Sequence, residues 1–180
     1  GACKLLDFDM GKVIKTLETI EAPTGRFEHF MSSNGVLGIV DYAHSPDSLK
    51  NVLSTINEIK NKDTKIICVF GCGGDRDPLK RRIMGKIGVE LSDIAILTSD
   101  NPRSEDPNKI ITEMKTDLSI KDLEKTKTFA DRREAIIEAT KIAQKGDIIL
   151  LAGKGHEKYQ EIKGVKLPFS DMEELEKFLK

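Results

Sequence analysis

The sequence predicts an α/β fold: a Rossmann-like three-layer αβα domain, mostly parallel sheet, with an antiparallel edge hairpin. Three observations predict it. Short β-branched runs alternate with amphipathic helical stretches, the pattern of repeated βαβ units. The runs Val36–Val40, Lys65–Phe70, Ile94–Thr98 and Asp147–Leu151 are almost continuously apolar, as strands covered by helices on both faces require. Near the end, Tyr159–Ile162 and Val165–Leu167 flank the turn dipeptide Lys163-Gly164, which reads as a small hairpin at the sheet edge.

The elements follow in order. Val13, Ile14, Leu17 and Ile20 recur at helical spacing, and Asp9 stands at the N-cap position. Glu21-Ala22-Pro23-Thr24-Gly25 then breaks the helix and marks a linker. A domain boundary is expected there, with 1–24 on one side and 25–180 on the other. The first helix has an apolar face with little local chain to cover it, so its partner is expected outside this sequence. Leu49, Val52, Leu53, Ile56 and Ile59 share a helix face that Ser45 can cap and Pro46 can open. Ile83, Met84, Ile87 and Leu91 mark a second helix. Asp106-Pro107 opens a third, carrying Ile110, Ile111, Met114 and Leu118. Asp131 with Glu134 resembles a capping box for a fourth. Ser170 with Glu173 repeats the device before a last helix bearing Met172, Leu175, Phe178 and Leu179.

Composition bounds the function. The chain has 180 residues, enough to bury roughly 70% of its unfolded surface without a metal or disulfide staple. Twenty-nine Lys and Arg stand against 30 Asp and Glu, a net charge of −1, so neither nucleic acid nor an anionic membrane is an expected partner. No apolar run approaches the ~18 residues of a membrane span. Three cysteines, Cys3, Cys68 and Cys72, cannot pair evenly, which points to reduced thiols and a cytoplasmic protein. The sequence does not begin with Met and its first residues show no signal-peptide pattern, so they read as an internal cut in a longer polypeptide.

In a parallel sheet, loops leaving the C-terminal strand ends share one edge, and ligands bind in the crevice there. Four segments of unusual chemistry leave strand ends here: Asp41-Tyr42-Ala43-His44, Gly71-Cys72-Gly73-Gly74-Asp75-Arg76, Asp100-Asn101-Pro102-Arg103 and Gly153-Lys154-Gly155-His156-Glu157. Four on one edge predict a site. The glycines of the second segment can turn backbone N–H groups toward an anion, with Arg76 adding charge. It matches neither GxGxxG nor GxxxxGK[ST], and no complete P-loop occurs in the chain. In the third, Arg103 can grip a carboxylate bidentately, on a turn stiffened by Pro102. In the fourth, Lys154, His156 and Glu157 can all face a ligand. Asp41 and His44 could bind a metal or orient a ribose. His29 has no expected role.

Taken together, GRFE, DYAHSPD, FGCGGDRD, DNPR and AGKGHE, in this order, resemble the C-terminal domain of the Mur ligases, and most closely the diaminopimelate-adding branch. The resemblance covers about Gly25 to Lys180. It implies that residues 1–24 are the last helix and linker of a central ATPase domain, and that 25–180 is the amino-acid-binding domain. The implied reaction joins meso-diaminopimelate to the D-glutamate of a UDP-N-acetylmuramoyl dipeptide at the expense of ATP, in peptidoglycan synthesis. ATP and Mg²⁺ are the implied cofactors, held mainly by the central domain together with the dipeptide. No catalytic residue and no metal ligand are expected within this stretch. By motif position, Arg26, Asp41 and His44 fall on the nucleotide side. Arg76, Asp100, Asn101, Pro102, Arg103, Gly153 and Glu157 fall on the diaminopimelate pocket. The Arg of DNPR is absent from lysine-adding relatives. Ser45 and Thr24 stand where many members carry Thr and Pro. A monomer is expected. Two other readings stay open: a stand-alone module that binds an amino acid or nucleotide, and a metal-dependent hydrolase using Asp41, His44 and His156. The latter lacks close chelating spacing such as HExxH.

Overall fold

The structure is a computed structural model that describes residues 8–17 and 23–179. Helix α1 spans Met10–Leu17, and Asp9 Oδ1 caps it by accepting from the Gly11 and Lys12 amides at 2.9 and 3.3 Å. The continuation expected to Ile20, the first linker residues and Cys3 lie outside the described residues.

From Gly25 on, strands and helices alternate. They run β1 (Glu28–Met31), β2 (Leu37–Asp41), α2 (Pro46–Ile59), β3 (Ile66–Cys72), α3 (Leu79–Glu90), β4 (Ile94–Ser99) and α4 (Pro107–Met114). Then come α5 (Ile120–Glu124), β5 (Thr126–Phe129), α6 (Arg132–Ile142), β6 (Ile148–Ala152), β7 (Tyr159–Ile162), β8 (Val165–Pro168) and α7 (Asp171–Phe178). The main sheet has the order β1-β2-β6-β3-β4-β5. All its pairings are parallel except β1 with β2.

Strand β3 shows why the central runs are continuously apolar. Successive side chains of a strand point to opposite faces. Ile66, Cys68 and Phe70 join Leu49, Leu53, Ile56, Met84 and Ile110 in the core under α2, α3 and α4. Ile67 and Val69 join Ile136, Ala139 and Leu175 under α6 and α7. The expected caps form. Ser45 and Ser48 make a reciprocal capping box, Asp106 accepts from the Asn108 amide, Asp131 from Arg133 and Glu134, and Ser170 from Glu173.

The mixed, helix-covered sheet is as expected, and it does carry an antiparallel edge pair. That pair is β1 with β2, however, not the segment 159–168. The latter forms its own two-stranded ribbon. Strand β6 lies inside the sheet, between β2 and β3, so a chain leaving it at Ala152 emerges over the loops rather than at an edge. The ribbon docks there: the Arg103 amide donates to Glu161 O at 3.0 Å and the Lys163 amide to Arg103 O at 2.6 Å. The edge strands β1 and β5 and the single-turn-scale helix α5 were not marked by the sequence pattern.

One buried ion pair fastens the sheet to its last helix. Arg132, the first residue of α6, and Asp171, the first of α7, are both inaccessible to solvent. The guanidinium meets the carboxylate through two bonds, Nε to Oδ1 at 2.8 Å and Nη2 to Oδ2 at 2.7 Å. Its remaining donors reach Ser99 O at 3.4 Å and Ala152 O at 3.1 Å, the terminal carbonyls of β4 and β6. Burial opposes the Arg132 charge, but Asp171 beside it, and then Asp100, outweigh that and raise its pKa above the ordinary value. Removing one partner of such a pair strands the other charge. Asp171→Asn is therefore expected to lower the urea unfolding free energy by about 3–5 kcal/mol. Asp131→Ala, which removes an exposed cap one residue before Arg132, should cost about 1 kcal/mol. Equal losses would show that the buried pair contributes no more than a surface cap.

Candidate ligand-binding cleft

Strands β2, β3, β4 and β6 all point their C-terminal ends to one edge, so the loops after Asp41, Cys72, Ser99 and Ala152 meet there. Between them lies a cleft of about 310 Å³ lined by Tyr42, His44, Gly71, Gly73, Arg76, Lys80, Asp100, Asn101, Arg103, Gly153 and Glu157. All four sequence-singled segments contribute. Of the expected diaminopimelate set, every residue but Pro102 lines the cleft. Of the expected nucleotide set, only His44 does.

The loops after β3 and β4 are held against each other by backbone contact. A Cβ at Gly74 would come within 2.0 Å of Pro102 O, so only glycine allows the approach. The Gly74 amide donates to Asn101 O at 2.9 Å, and Arg103 Nη1 donates to Gly74 O at 2.7 Å. Pro102 is thus a buried spacer in the frame. A charged clamp reinforces the frame. Arg81, 1% exposed, donates Nη1 to Glu105 Oε2 at 2.9 Å, Nη2 to Glu105 Oε1 at 2.7 Å and Nη1 to Glu113 Oε2 at 2.6 Å. Glu105 Oε1 also accepts the Asp75 amide at 2.6 Å. This anchors the turn that carries Arg76, which is itself exposed at the rim.

The opposite end of the cleft is acidic. Asp100 is buried, and its Oδ1 has no hydrogen-bond partner among the described residues. Burial pushes its pKa up, while Arg132 and then Lys154 pull it down; the net direction is upward. Asn101 Nδ2 donates to Glu157 Oε2 at 2.8 Å. Lys154, expected to face a ligand, instead lies fully buried beneath these groups, its ammonium 3.1 Å from Glu157 Oε2 and 3.2 Å from Asn101 Oδ1. The two acceptors replace the solvent that the buried ammonium gives up. The cleft thus carries both signs of charge: guanidiniums at Arg76 and at Arg103, the latter 3.7 Å from Glu161 Oε2, and carboxylates at Asp100 and Glu157.

A third feature flanks the cleft. The Tyr42 ring lies between His44 and His156, with centroids 4.6 and 5.3 Å away, and the Arg26 guanidinium stands 5.7 Å from its centre. Arg26 therefore reaches the site through Tyr42 rather than through the cleft wall. Asp41 serves the frame: its Oδ2 accepts the Phe27 amide at 2.8 Å. Tyr42 and Lys80 line the cleft without having been singled out individually. Tyr42 belongs to a quoted motif, whereas Lys80, on α3, carries no distinguishing pattern; its ammonium donates to His44 O at 3.2 Å. Among the described residues no group of three or more His, Cys, Asp or Glu is placed to hold a metal ion. Cys68 and Cys72 are buried free thiols, and burial pushes Cys72 up to about 12.

Comparison with known proteins gives a consistent result. Residues 25–155 match the family model described as Mur ligase, glutamate ligase domain. The UDP-N-acetylmuramoyl-L-alanyl-D-glutamate–2,6-diaminopimelate ligase of Cytophaga hutchinsonii is 55% identical over 167 residues, covering 93% of this chain and 34% of the relative. The ligase of the same name from Parabacteroides distasonis is 51% identical over 175 residues, covering 97% and 36%. A solved structure under that name superposes with a TM-score of 0.81 at 39% identity, over 99% of this chain and 36% of the other. A Mycobacterium tuberculosis folylpolyglutamate synthase, at 18% identity and a TM-score of 0.59 over 82% of this chain and 33% of its own, shares the fold. The chain spans about a third of the length of the relatives it matches.

The Arg81–Glu105 clamp has a pH signature. Its hydrogen bonds from Arg81 hold the Glu105 carboxyl down at about 2, against an ordinary 4.5. A carboxyl depressed in the folded state stabilises fully above the unfolded value and loses that contribution as pH falls through the folded one. The Asp75 amide, bonded to Glu105, should therefore titrate in ¹H–¹⁵N spectra with a midpoint near about 2. In Arg81→Met the midpoint should climb toward 4.5. An ordinary midpoint in the wild-type chain would show that the clamp is not formed in solution.

Proposed function

Because this chain belongs to the Mur ligase family, matching its glutamate ligase domain, we propose that it is the amino-acid-binding C-terminal domain of an ATP-dependent amide ligase. The relatives' names supply 2,6-diaminopimelate and UDP-N-acetylmuramoyl-L-alanyl-D-glutamate as the two joined substrates; our reading takes the meso form of the diamino acid and assigns the step to peptidoglycan synthesis in the cytoplasm. The observation that carries this reading is the bipolar cleft. A second amino-acid centre bears both a carboxylate and an ammonium. Arg103 and Arg76 offer charge-assisted donors to the first, and Asp100 with Glu157 offers acceptors to the second.

The reaction proposed for the whole enzyme proceeds in two transfers. The γ-phosphoryl of ATP passes to the glutamate γ-carboxylate, giving an acyl phosphate and ADP. The free amine of the diamino acid then attacks that carbonyl, an amide forms, phosphate leaves, and the amine loses its proton. This chain's part is to hold the diamino acid by its far end, so that the reacting amine is presented at fixed reach. The exposed His44, His156 and Arg26 around the half-buried Tyr42 ring give the domain a face suited to closing over the nucleotide. Residues 25–180 are proposed as this domain, and 1–24 as the end of the preceding one. The domain is proposed to work as a monomer, with no nucleic-acid or membrane partner.

Two outcomes are expected. The purified chain should not turn over ATP, because it has no complete P-loop to cradle a triphosphate. Sustained phosphate release by the chain alone, free of contaminating enzyme, would contradict the division of labour. In the full-length ligase, Arg103→Ala should lower kcat/KM for meso-diaminopimelate by on the order of 10²-fold, and affect L-lysine far less. Lysine has no distal carboxylate for the guanidinium to hold. Steady-state kinetics with both amino acids decide it: equal losses would assign Arg103 to the loop frame instead.

A further inference from the structure

Lys154 is the least expected side chain of the cleft. It stands between two glycines in a loop, where lysine is ordinarily solvated, yet it is 0% exposed. An ammonium is withdrawn from water only where charge and hydrogen bonds replace the solvent. Its Nζ lies 3.1 Å from Glu157 Oε2, 3.2 Å from Asn101 Oδ1 and 3.7 Å from Asp100 Oδ1, with the Tyr159 ring 5.7 Å away. These contacts dictate the Asn101 amide. Its Oδ1 must face Lys154 and the Glu161 amide, the latter at 2.9 Å, so its Nδ2 faces Glu157. Two carboxylates against one ammonium leave this end of the cleft with one surplus negative charge, and Asp100 Oδ1 has no hydrogen-bond partner.

We propose that Lys154 is a positioning residue: its buried ammonium fixes the Asn101 amide and the Glu157 carboxylate in one orientation and leaves a single net negative charge to receive one ligand ammonium. The inference rests on the reading of the cleft as an amino-acid site. Without Lys154, Glu157 and Asp100 repel each other, Asn101 is free to flip, and the ammonium subsite loses both its shape and its charge count. The charged groups facing Asp100 are Lys154 and Glu157 from its neighbouring loop, Arg132 from α6 and Asp171 from α7. Lys154 is one of the two that favour its ionised form, so its loss must move Asp100 further upward.

Lys154→Met keeps the stem and removes the charge. In this variant the Asp100 carboxyl carbon, followed by ¹³C NMR, should titrate at higher pH than in the wild-type chain. Calorimetry at neutral pH should show the Kd for meso-diaminopimelate raised by about tenfold or more, the worth of one hydrogen bond to a charged group. If Lys154→Met fails to fold, the same readouts apply to Lys154→Met with Glu157→Gln, compared against Glu157→Gln alone. An unmoved Asp100 titration, or an unchanged Kd in a folded variant, overturns the proposal and leaves Lys154 as packing. Failure of the wild-type chain to bind meso-diaminopimelate, together with a moved Asp100 titration, overturns the amino-acid reading of the cleft and leaves the charge role standing.

Discussion

The Arg132–Asp171 pair is the constraint on which the rest depends. One guanidinium, sealed from solvent, joins the starts of two helices to the last carbonyls of two strands of one sheet, β4 and β6, which flank β3. A strand end normally offers its carbonyls to whatever lies beyond. Here the final acceptors of β4 and β6 are already engaged from below, by a donor that cannot lose its proton. The chain that leaves these strands, Asp100 onward and Gly153 onward, is therefore launched from fixed points. The same guanidinium lies close enough to Asp100 to favour its ionised form. Fold and site share a single electrostatic anchor.

Above that anchor the site is built in tiers. The Gly74–Pro102 backbone approach and the Arg81–Glu105 clamp fix the basic rim, while Lys154 with Asn101 fixes the acidic end. Neither tier relies on the ligand to assemble it. Binding then need not order these side chains, so less interaction free energy is lost to conformational entropy. The ring group around Tyr42 borders the cleft, with half-buried Tyr42 between the exposed His44 and His156, which suits a surface that meets its ligand when another body approaches.

Much of this was legible in the sequence, and the exceptions share a cause. The interior strands announced themselves because burial on both faces writes a continuous apolar run, as in Ile66–Cys72. Helix starts were legible because caps are local: Ser45, Asp106, Asp131 and Ser170 act within three residues of themselves. The four motif loops were legible because parallel topology alone sends them to one edge. Edge strands were not. β1 is four residues long and its exposure alternates, and β5 holds two exposed residues of four, so neither carries the signal of a buried strand. The resting place of the 159–168 ribbon was illegible because it depends on contacts with Arg103, some sixty residues earlier. Lys154 misled, and Arg132 went unmarked, for a related reason. A charge reads as exposed unless its partners are known: Asp171 is distant from Arg132 in the chain, and Asn101, which completes the cage of Lys154 with the nearby Glu157, is distant too.

The linker turn touches the site more closely than its sequence suggests. Gly25, at φ +73°, packs its backbone on the loop of Gly155 and His156, and a Cβ there would come within 2.0 Å of the His156 nitrogen. Two residues on, Phe27 hangs from Asp41, and the Gly153 amide donates to Asp41 O at 3.0 Å. Entry to the domain and the loop bearing Glu157 are thus one mechanical part. Any shift of the Gly25 turn is carried to the loop bearing Glu157 through backbone contact, with no relay of side chains between them. The turn and the acidic end of the cleft therefore report on each other directly, like the two handles of a pair of pliers.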